Sequence, residues 1–323
     1  MYSTSGAAQS PWHAGEKTLQ AIYHVAERMD EIGHRVIRDY MLDQQRDFYH
    51  QLPFIVVGAV DASDRPWATL LEGPQGFISS TDPHHLRLNT SLDPQDPAMP
   101  GLKSGSAIGM LGIELHTRRR NRLNGVIQKA SATGFEVAVE QSYGNCPQYI
   151  QKRSYTRLPE SKDGKALRQD FSALNDYASA MIRAADTFFI ASYVGQDAQR
   201  SVDVSHRGGR AGFIKVDGNR LTIPDYSGNL FFNTLGNLHA NPVAGLLFVD
   251  FSNGDVLQLT GRTELLLDSP LIRAFEGAER LWTLEVEQVV VRPGAVNIRW
   301  LFHDYAPTSL ATGTWAETDA RLR

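Results

Sequence analysis

The sequence predicts a mainly β protein with some helices, built from two similar antiparallel β domains behind an N-terminal helix. Its 323 residues fit two domains of about 150 residues each. Short β-branched runs separated by Gly, Pro and Asp are typical of a barrel or sandwich rather than of alternating strands and helices. Two distant segments also resemble each other, which indicates an internal repeat.

The composition excludes several classes of protein. Apolar residues make up 42% and charged residues 21%, which suits a packed core rather than a disordered chain. The 32 Lys and Arg residues against 36 Asp and Glu give a charge of −4, so the whole chain has no attraction for nucleic acid or anionic membrane. A single cysteine, Cys146, excludes a disulfide framework and a multi-cysteine metal site. Without a long apolar run or a signal-like N-terminus, we expect a cytoplasmic protein with no metal.

The first part of the chain changes from a helical to a strand pattern. Residues 1–44 carry apolar side chains at spacings of three and four, which predicts an N-terminal helical extension. Residues 45–156 then predict the first β domain. Its strand candidates are PFIVVGAV (53–60), WATLL (67–71), GFIS (76–79) and AIGMLGIEL (107–115).

The polar residues 157–171 form the predicted linker, and a helix is predicted at about 171–184. The second β domain is predicted over 172–303, followed by a polar tail over 304–323. Its strand candidates are FFIASYV (188–194), RAGFIKV (210–216), NRLTIP (219–224), NLFFNT (229–234), VAGLLFVDF (243–251) and DVLQLTGRTELLL (255–267).

The two predicted β domains align with each other. IGMLGIELHTRRRNRLNG (108–125) matches AGLLFVDFSNGDVLQLTG (244–261) without a gap, and residues 139–141 match residues 286–288 as the same Val-Glu-Gln triplet. Such a repeat predicts two copies of one domain. The alternative is that antiparallel hairpins resemble each other by chance.

The densest polar cluster is VDVSHRGGRAGFIKV in the second half. Arginine supplies forked donors that suit phosphate oxygens, and glycine lets backbone N–H groups come close to an anion. Lys215 lies five residues after Arg210, so a Gly-rich bend would be needed to bring both to one ligand. IPDYSGNLFFNTLGNLHANP then adds short hydrogen-bonding side chains. The alternative is a turn-rich surface with solvated arginines.

Other signals are weaker. The basic run RRRNR (118–122) fits a solvated turn best, with anion contact and nucleic-acid contact as alternatives. His84 and His85 suit a surface loop better than a metal site. Cys146 suits a buried structural thiol, and would be a nucleophile only if a histidine lay near it. Dinucleotide, Walker, zinc-protease and serine-hydrolase motifs do not occur.

A resemblance to the pyridoxamine 5′-phosphate oxidase-related, FMN-binding split-barrel superfamily rests on SHRGGRAGFIKV, PDYSGN, FNTLGN, NPVAGLLFVDF and DVLQLTGR, over about residues 186–267. PWHAGEKTLQ, LPFIVVGAVD, RRRNRLNG and GNCPQYIQ resemble a bacterial subgroup of it, some members of which continue into a ferredoxin-reductase-like module. The resemblance implies two tandem, six-stranded, antiparallel Greek-key split barrels with FMN at the interface between them.

The resemblance also implies a set of site residues. Arg207, Arg210 and Lys215 would hold the phosphate, and Gln258 would approach the flavin ring. LGNLHANP lacks the Ser-Arg-Lys run of the true oxidase, so oxidation of vitamin B6 is not expected. The full predicted cofactor-binding set is Ser205, His206, Arg207, Gly208, Arg210, Lys215, Asp225, Asn229, Asn233, Thr234, Asn237 and Gln258.

The expected function is an FMN-dependent oxidoreductase acting on a small molecule, with the flavin doing the redox chemistry and no side chain named as catalytic. NAD(P)H or a separate reductase is the expected electron donor, and a homodimer is a further expectation. One alternative is a non-catalytic protein that binds FMN, haem or a deazaflavin. Another is a scaffold whose ligand site has been lost.

The first half is expected to lack a phosphate site of its own. RPWATLLEGPQGF (65–77) aligns with the SHRGG segment but carries Glu72 and apolar residues in place of the arginines. A carboxylate there would repel a phosphate. We therefore expect one flavin per chain, with RRRNRLNG either contacting it across the interface or forming a solvated hairpin.

Overall fold

The structure is a computed structural model that describes residues 10–159 and 167–323. Strands account for 43% of the residues and helices for 22%, so the protein is mainly β. In the described part of the chain, no helix is long and apolar enough to cross a membrane.

Within residues 10–159, the chain contains three α-helices and then eight strands. The helices are α1 (Ala14–Ile22), α2 (Ala26–Val36) and α3 (Asp43–Gln51). The strands are β1 (Phe54–Val60), β2 (Pro66–Glu72), β3 (Ile78–Asp82), β4 (His85–Asn89), β5 (Ala107–Glu114), β6 (Arg119–Ser131), β7 (Gly134–Asn145) and β8 (Lys152–Arg157).

The second part contains nine strands and five helices. The strands are β9 (Gln169–Phe171), β10 (Thr187–Val194), β11 (Ser201–Gly208), β12 (Lys215–Asp217), β13 (Arg220–Tyr226), β14 (Val243–Val249), β15 (Val256–Leu266), β16 (Ala278–Arg292) and β17 (Ile298–Asp304). The helices are α4 (Asp176–Ala184), α5 (Asn233–Ala240), α6 (Pro270–Ala274), α7 (Pro307–Leu310) and α8 (Trp315–Leu322).

Two antiparallel sheets have the same strand order. The first runs β2-β1-β5-β6-β7-β4-β3 and the second runs β11-β10-β14-β15-β16-β13-β12, with β9 added beside β16. A β-bulge falls at the same place in both sheets, between Asn124 and Gly125 in β6 and between Thr260 and Gly261 in β15. The aligned segments therefore occupy equivalent strands. Each sheet has more than the six strands that the resemblance implied.

The two sheets pack against each other through β1, β2 and β5 of the first and β10, β11 and β14 of the second, which explains why β1 is buried along its whole length. Glycines allow this close approach at two equivalent positions. A Cβ on Gly109 of β5 would lie 2.6 Å from the carbonyl oxygen of Val202, and one on Gly245 of β14 would lie 2.2 Å from that of Pro66. Larger residues there would force the sheets apart.

Three predictions about the flanking segments differ from the structure. The N-terminal extension forms separate helices, because the chain turns through a left-handed His24 (φ +55°) after α1. Residues 169–171 of the predicted linker form β9, and residues 160–166 lie outside the described residues. The predicted polar tail contains α8, which buries Trp315 against Phe275.

Candidate functional site

A polar cleft lies between the two sheets, where β6 of the first sheet faces β11 and α5 of the second. Its volume is about 80 Å³. We call it the interface cleft, and its charged and hydrogen-bonding side chains are Arg120, Arg122, Ser205, His206, Arg207, Asp225, Asn229, Asn233, Thr234 and Arg280.

Arg122 is the buried link between the halves, with 2% of its surface exposed. Its Nη1 donates to Asp203 Oδ1 at 2.8 Å and its Nη2 donates to the Ser205 hydroxyl. Asn124 Nδ2 also donates to Asp203 Oδ1, at 2.6 Å. The first half therefore supplies polar side chains across the interface to the second half, and contact of RRRNRLNG with a flavin stays a prediction.

Arg120 enters the cleft without a carboxylate partner. Its Nε donates to the Cys146 carbonyl oxygen at 2.7 Å and its Nη1 donates to His206 Nδ1 at 3.2 Å. Within the described ranges, no carboxylate oxygen lies within 4.0 Å of this guanidinium. Burial lowers the pKa of Arg120, and the positive charges of Arg207 and Arg122 lower it further. Its positive charge is therefore not balanced by a carboxylate among the described residues.

His206 is a neutral donor beside this arginine. An arginine can only donate, so Nδ1 accepts and the ring proton sits on Nε2. Burial, followed by the charges of Arg120, Arg207 and Arg153, holds the pKa of His206 well below its usual range. Its Nε2 has no hydrogen-bond partner among the described residues.

Arg207 and Arg280 share one carboxylate. Arg280 Nε donates to Asp225 Oδ2 at 2.8 Å, whereas Arg207 Nη2 lies 3.4 Å from Asp225 Oδ1. Arg280 is also paired with Glu279 at 2.6 Å, so it is fully compensated. Arg207 is less well compensated, and its Nε has no partner within the described part of the protein.

The N-terminus of α5 faces the same cleft. No side chain caps this helix, and no described group accepts from the backbone N–H groups of Asn233, Thr234 and Leu235. Such free N–H groups and the helix dipole favour a negative charge. The chain reaches this point through left-handed Leu230 (φ +63°) and Phe232 (φ +62°), which is why the predicted strand over 229–234 is interrupted and a helix begins at Asn233.

Helix α1 closes one side of the cleft through contact with α5. A Cβ on Gly15 would lie 2.1 Å from the Gly236 carbonyl oxygen, so the two backbones touch. This contact buries Glu16, whose Oε1 accepts from Asn233 Nδ2 at 2.6 Å. Burial and the neighbouring charge of Asp203 raise the pKa of Glu16 to about 8. Near neutral pH its carboxyl is therefore mainly uncharged.

The structure brings only some of the predicted residues together. Arg210 and Lys215 lie outside the interface cleft because α8 holds them: Arg210 Nη2 donates to Glu317 at 2.5 Å and Lys215 Nζ donates to Asp319 at 3.1 Å. Gly208 lines an adjoining cavity. Asn237 lies beneath the cleft, where it donates to the Ser192 hydroxyl and to Asp203. The predicted residues that line the cleft are Ser205, His206, Arg207, Asp225, Asn229, Asn233 and Thr234.

Gln258 lies outside the interface cleft. It occupies the position in β15 that Arg122 occupies in β6. It pairs with Leu247 as Arg122 pairs with Leu111, so it faces the first half. There its Nε2 donates to the Ala68 carbonyl oxygen and to Asp96 Oδ1, both at 3.0 Å. Gln258 is fully buried and does not line the interface cleft.

A carboxylate of the chain itself fills this equivalent position. Asp96 accepts from Gln258, from the Thr69 hydroxyl and from Arg292 Nη1 at 2.6 Å. Thr69 is the equivalent of Ser205, since the two pair with Val57 and Ile190 in matching registers. The first half thus has an internal anion where the second half has an open cleft. Glu72, which we expected to repel a ligand, instead accepts from Asn297.

Four residues of the site were not singled out from the sequence: Arg120 and Arg122 individually, Arg280 and Glu16. The alternation of β6 carried a usable signal, because side chains two apart on a strand share a face. Arg120 and Arg122 share the face toward the second half, whereas Arg119 is exposed. Arg280 and Glu16 gave no such signal, since they reach the cleft only through tertiary packing.

Comparisons with known proteins place the chain in no established family. No family model matches it and no curated protein matches it. Solved structures that it resembles include a proposed pyridoxamine 5′-phosphate oxidase from Lactobacillus delbrueckii, at 15% identity and a TM-score of 0.27 over 33% of this chain and 95% of that one. HupZ from Group A Streptococcus matches at 12% and 0.28 over 41% and 98%. An FAD-binding protein from Mesorhizobium loti matches at 18% and 0.29 over 39% and 98%. Similarities at this level assign the chain no ligand and no activity.

Proposed function

We propose that the interface cleft binds the phosphate group of FMN and that the protein is an FMN-dependent oxidoreductase acting on a small molecule. One observation carries the phosphate part: a buried cleft combines the unpaired Arg120 and the half-paired Arg207 with the uncapped N-terminus of α5. The flavin part rests on the motifs of the second half. When bound, FMN supplies hydride and electron transfer through its ring.

The donors present fit a phosphate. Three nitrogen atoms of the lining residues, Arg122 Nε, His206 Nε2 and Arg207 Nε, are buried and have no hydrogen-bond partner among the described residues. Buried polar groups in native proteins are nearly always hydrogen-bonded, so unpaired donors together indicate a ligand with several acceptor oxygens. A phosphate dianion has three such oxygens and matches guanidinium geometry.

The size of the cleft limits what it encloses. About 80 Å³ is below the roughly 300–1,000 Å³ of sites that enclose a whole small molecule. The cleft therefore suits the phosphate group, with the remainder of FMN outside it. Adjoining space exists, because Arg120 also lines a cavity of about 390 Å³ that includes Asn121 and Asn145.

The test compares FMN with riboflavin, which lacks the phosphate, by fluorescence titration of the purified apoprotein. We expect FMN to bind much more tightly. Arg120→Met or Arg207→Ala should weaken FMN binding by about tenfold or more, because a charge-assisted hydrogen bond is worth roughly 1.5–3 kcal/mol. Neither change should alter riboflavin binding. Arg262→Met is the matched control, because Arg262 is exposed on β15.

Stability measurements separate a ligand role from a structural one. Arg120 is a poorly compensated cation, so Arg120→Met should leave the ligand-free protein at least as stable in urea as the wild type while it loses FMN. Equal affinity for FMN and riboflavin would contradict the phosphate anchor. Binding of FMN without bleaching by NAD(P)H, by a reductase system or by candidate substrates would favour a non-catalytic flavin carrier.

We also propose that the two sheets are split barrels that arose by duplication of one domain. The shared strand order and the equivalent bulges support this. Under this proposal the cleft at the interface is one of two formerly equivalent sites, and only the one that Arg122 faces leaves a cation, Arg120, without a carboxylate partner among the described residues.

A further inference from the structure

A second cavity lies between α4, the end of β14 and the β8–β17 pair. Its volume is about 480 Å³, within the range of small-molecule sites. It shares no lining residue with the interface cleft. We call it the aromatic groove, and its lining includes Arg153, Ala184, Asp186, Phe251, Trp300 and Phe302.

The walls of the groove are built for a flat molecule. Phe251 and Trp300 meet edge to face with ring centroids 5.2 Å apart. The guanidinium of Arg153 lies 4.2 Å from the Phe251 centroid and 5.3 Å from that of Phe302. Helix α4 contributes the small side chains of Ala180 and Ala184 to the lining, together with Tyr177 and Met181. Aromatic rings and a guanidinium plane both favour stacking with a planar group.

The polar groups of the groove favour a ligand with no net charge. Arg153 Nη2 donates to Asp186 Oδ2 at 2.6 Å, so the two charges compensate each other, and both residues are buried. Their other atoms, Arg153 Nη1 and Asp186 Oδ1, have no partner among the described residues. Because both residues line the groove, the pair holds one donor nitrogen and one acceptor oxygen that a ligand there would satisfy.

We propose that the aromatic groove binds a neutral, planar heteroaromatic molecule that carries a ring carbonyl next to a ring N–H, that is, a cyclic amide. The carbonyl oxygen would accept from Arg153 Nη1 and the N–H would donate to Asp186 Oδ1. An apolar ring would leave both atoms unpaired, and an anion would meet a guanidinium that Asp186 already neutralises. This site is independent of the proposed phosphate site.

The experiment uses the full-length protein and three probes of similar size: 2-quinolinone, which is a cyclic amide, quinoline, which lacks the amide, and 2-naphthoate, which is an anion. Calorimetric titration should show 2-quinolinone binding about tenfold or more tighter than either other probe. Ala184→Leu should weaken binding by narrowing the groove, at an exposed helix position that tolerates leucine. Arg153→Met should remove the preference for the amide.

The same titrations provide the control for the aromatic groove and the results that would contradict the proposal. Arg120→Met alters only the interface cleft and should leave 2-quinolinone binding unchanged. Equal affinity for 2-quinolinone and quinoline would overturn the hydrogen-bonding part of the proposal. Unchanged binding in Ala184→Leu, or no binding of any probe to the folded wild type, would overturn the site itself. If Arg153→Met fails to fold, Ala184→Leu still decides the question.

Discussion

Replacing Glu16 with glutamine should flatten the dependence of stability on pH between about 4.5 and 8. Glu16 is 4% exposed, and its two oxygens accept from Asn233 Nδ2 and from the backbone N–H of His13. Asp203 lies near it with the same charge, and Arg122 offsets only part of the cost. Ionising this carboxyl inside the packed α1–α5 contact is therefore unfavourable.

The sign and size of the effect follow from linkage. The pKa of Glu16 rises from an ordinary 4.5 to about 8 on folding. Between these values the folded protein holds a proton that the unfolded chain has lost, so stability falls as pH rises. The stabilisation is complete below pH 4.5 and lost above pH 8. A pKa difference of this size corresponds to roughly 5 kcal/mol in the free energy of unfolding, as an upper bound.

Urea unfolding of the wild type and of Glu16→Gln from pH 4.5 to 9 measures this directly. Glutamine keeps the N-terminal capping pattern of α1, and the difference between the two proteins removes the titration of other groups. The variant should gain stability relative to the wild type as pH rises. Glu317 is the matched control: it has the same capping position in α8 but is exposed, with its pKa lowered by Arg210. Parallel pH profiles for wild type and Glu16→Gln would refute the reasoning.

Three further predictions concern other parts of the structure. Titration of the apoprotein should saturate at one FMN per chain, because Asp96 fills the equivalent position; a ratio near two would contradict this. Arg292→Met should destabilise the protein in urea by roughly 3–5 kcal/mol, since it leaves Asp96 buried without its cation, and a loss no greater than that of Arg262→Met would argue against it. Gly236→Ala should cost roughly 1–3 kcal/mol, because its Cβ would lie 2.7 Å from the Glu16 backbone nitrogen; Gly228→Ala, with open space around it, should cost little.

The sequence predicted the mainly β class, and its strand candidates located the central strands. β1, β5 and β14 are continuous apolar runs because one face of each packs on the core of its own half and the other face packs against the other sheet. The same logic failed at 229–234, where two left-handed residues break the strand although their side chains are apolar. Backbone conformation of that kind leaves no periodic signal.

The N- and C-terminal segments were predicted least well, for a common reason. α1 and α8 are short helices whose positions depend on what they pack against. α1 contacts α5 through two glycines, and α8 is anchored by Trp315 and by ion pairs with Arg210 and Lys215. Arginine and lysine beside glycines favoured a phosphate site in the sequence. Carboxylates a hundred residues away decide that these two cations pair within the chain instead.

The difference between the positions of Arg122 and Gln258 explains why residues of both halves form the interface cleft. In an arrangement with matching registers, the strand that carries Arg122 faces the second half and the strand that carries Gln258 faces the first. A phosphate ligand at both would require cations on both strands. Gln258 instead joins Arg292 and Thr69 around Asp96, so that position is satisfied without a ligand. Arg122 is paired with Asp203, but its neighbour Arg120 has no carboxylate partner in the described part of the chain, so the negative charge that an external ligand must supply is confined to one cleft.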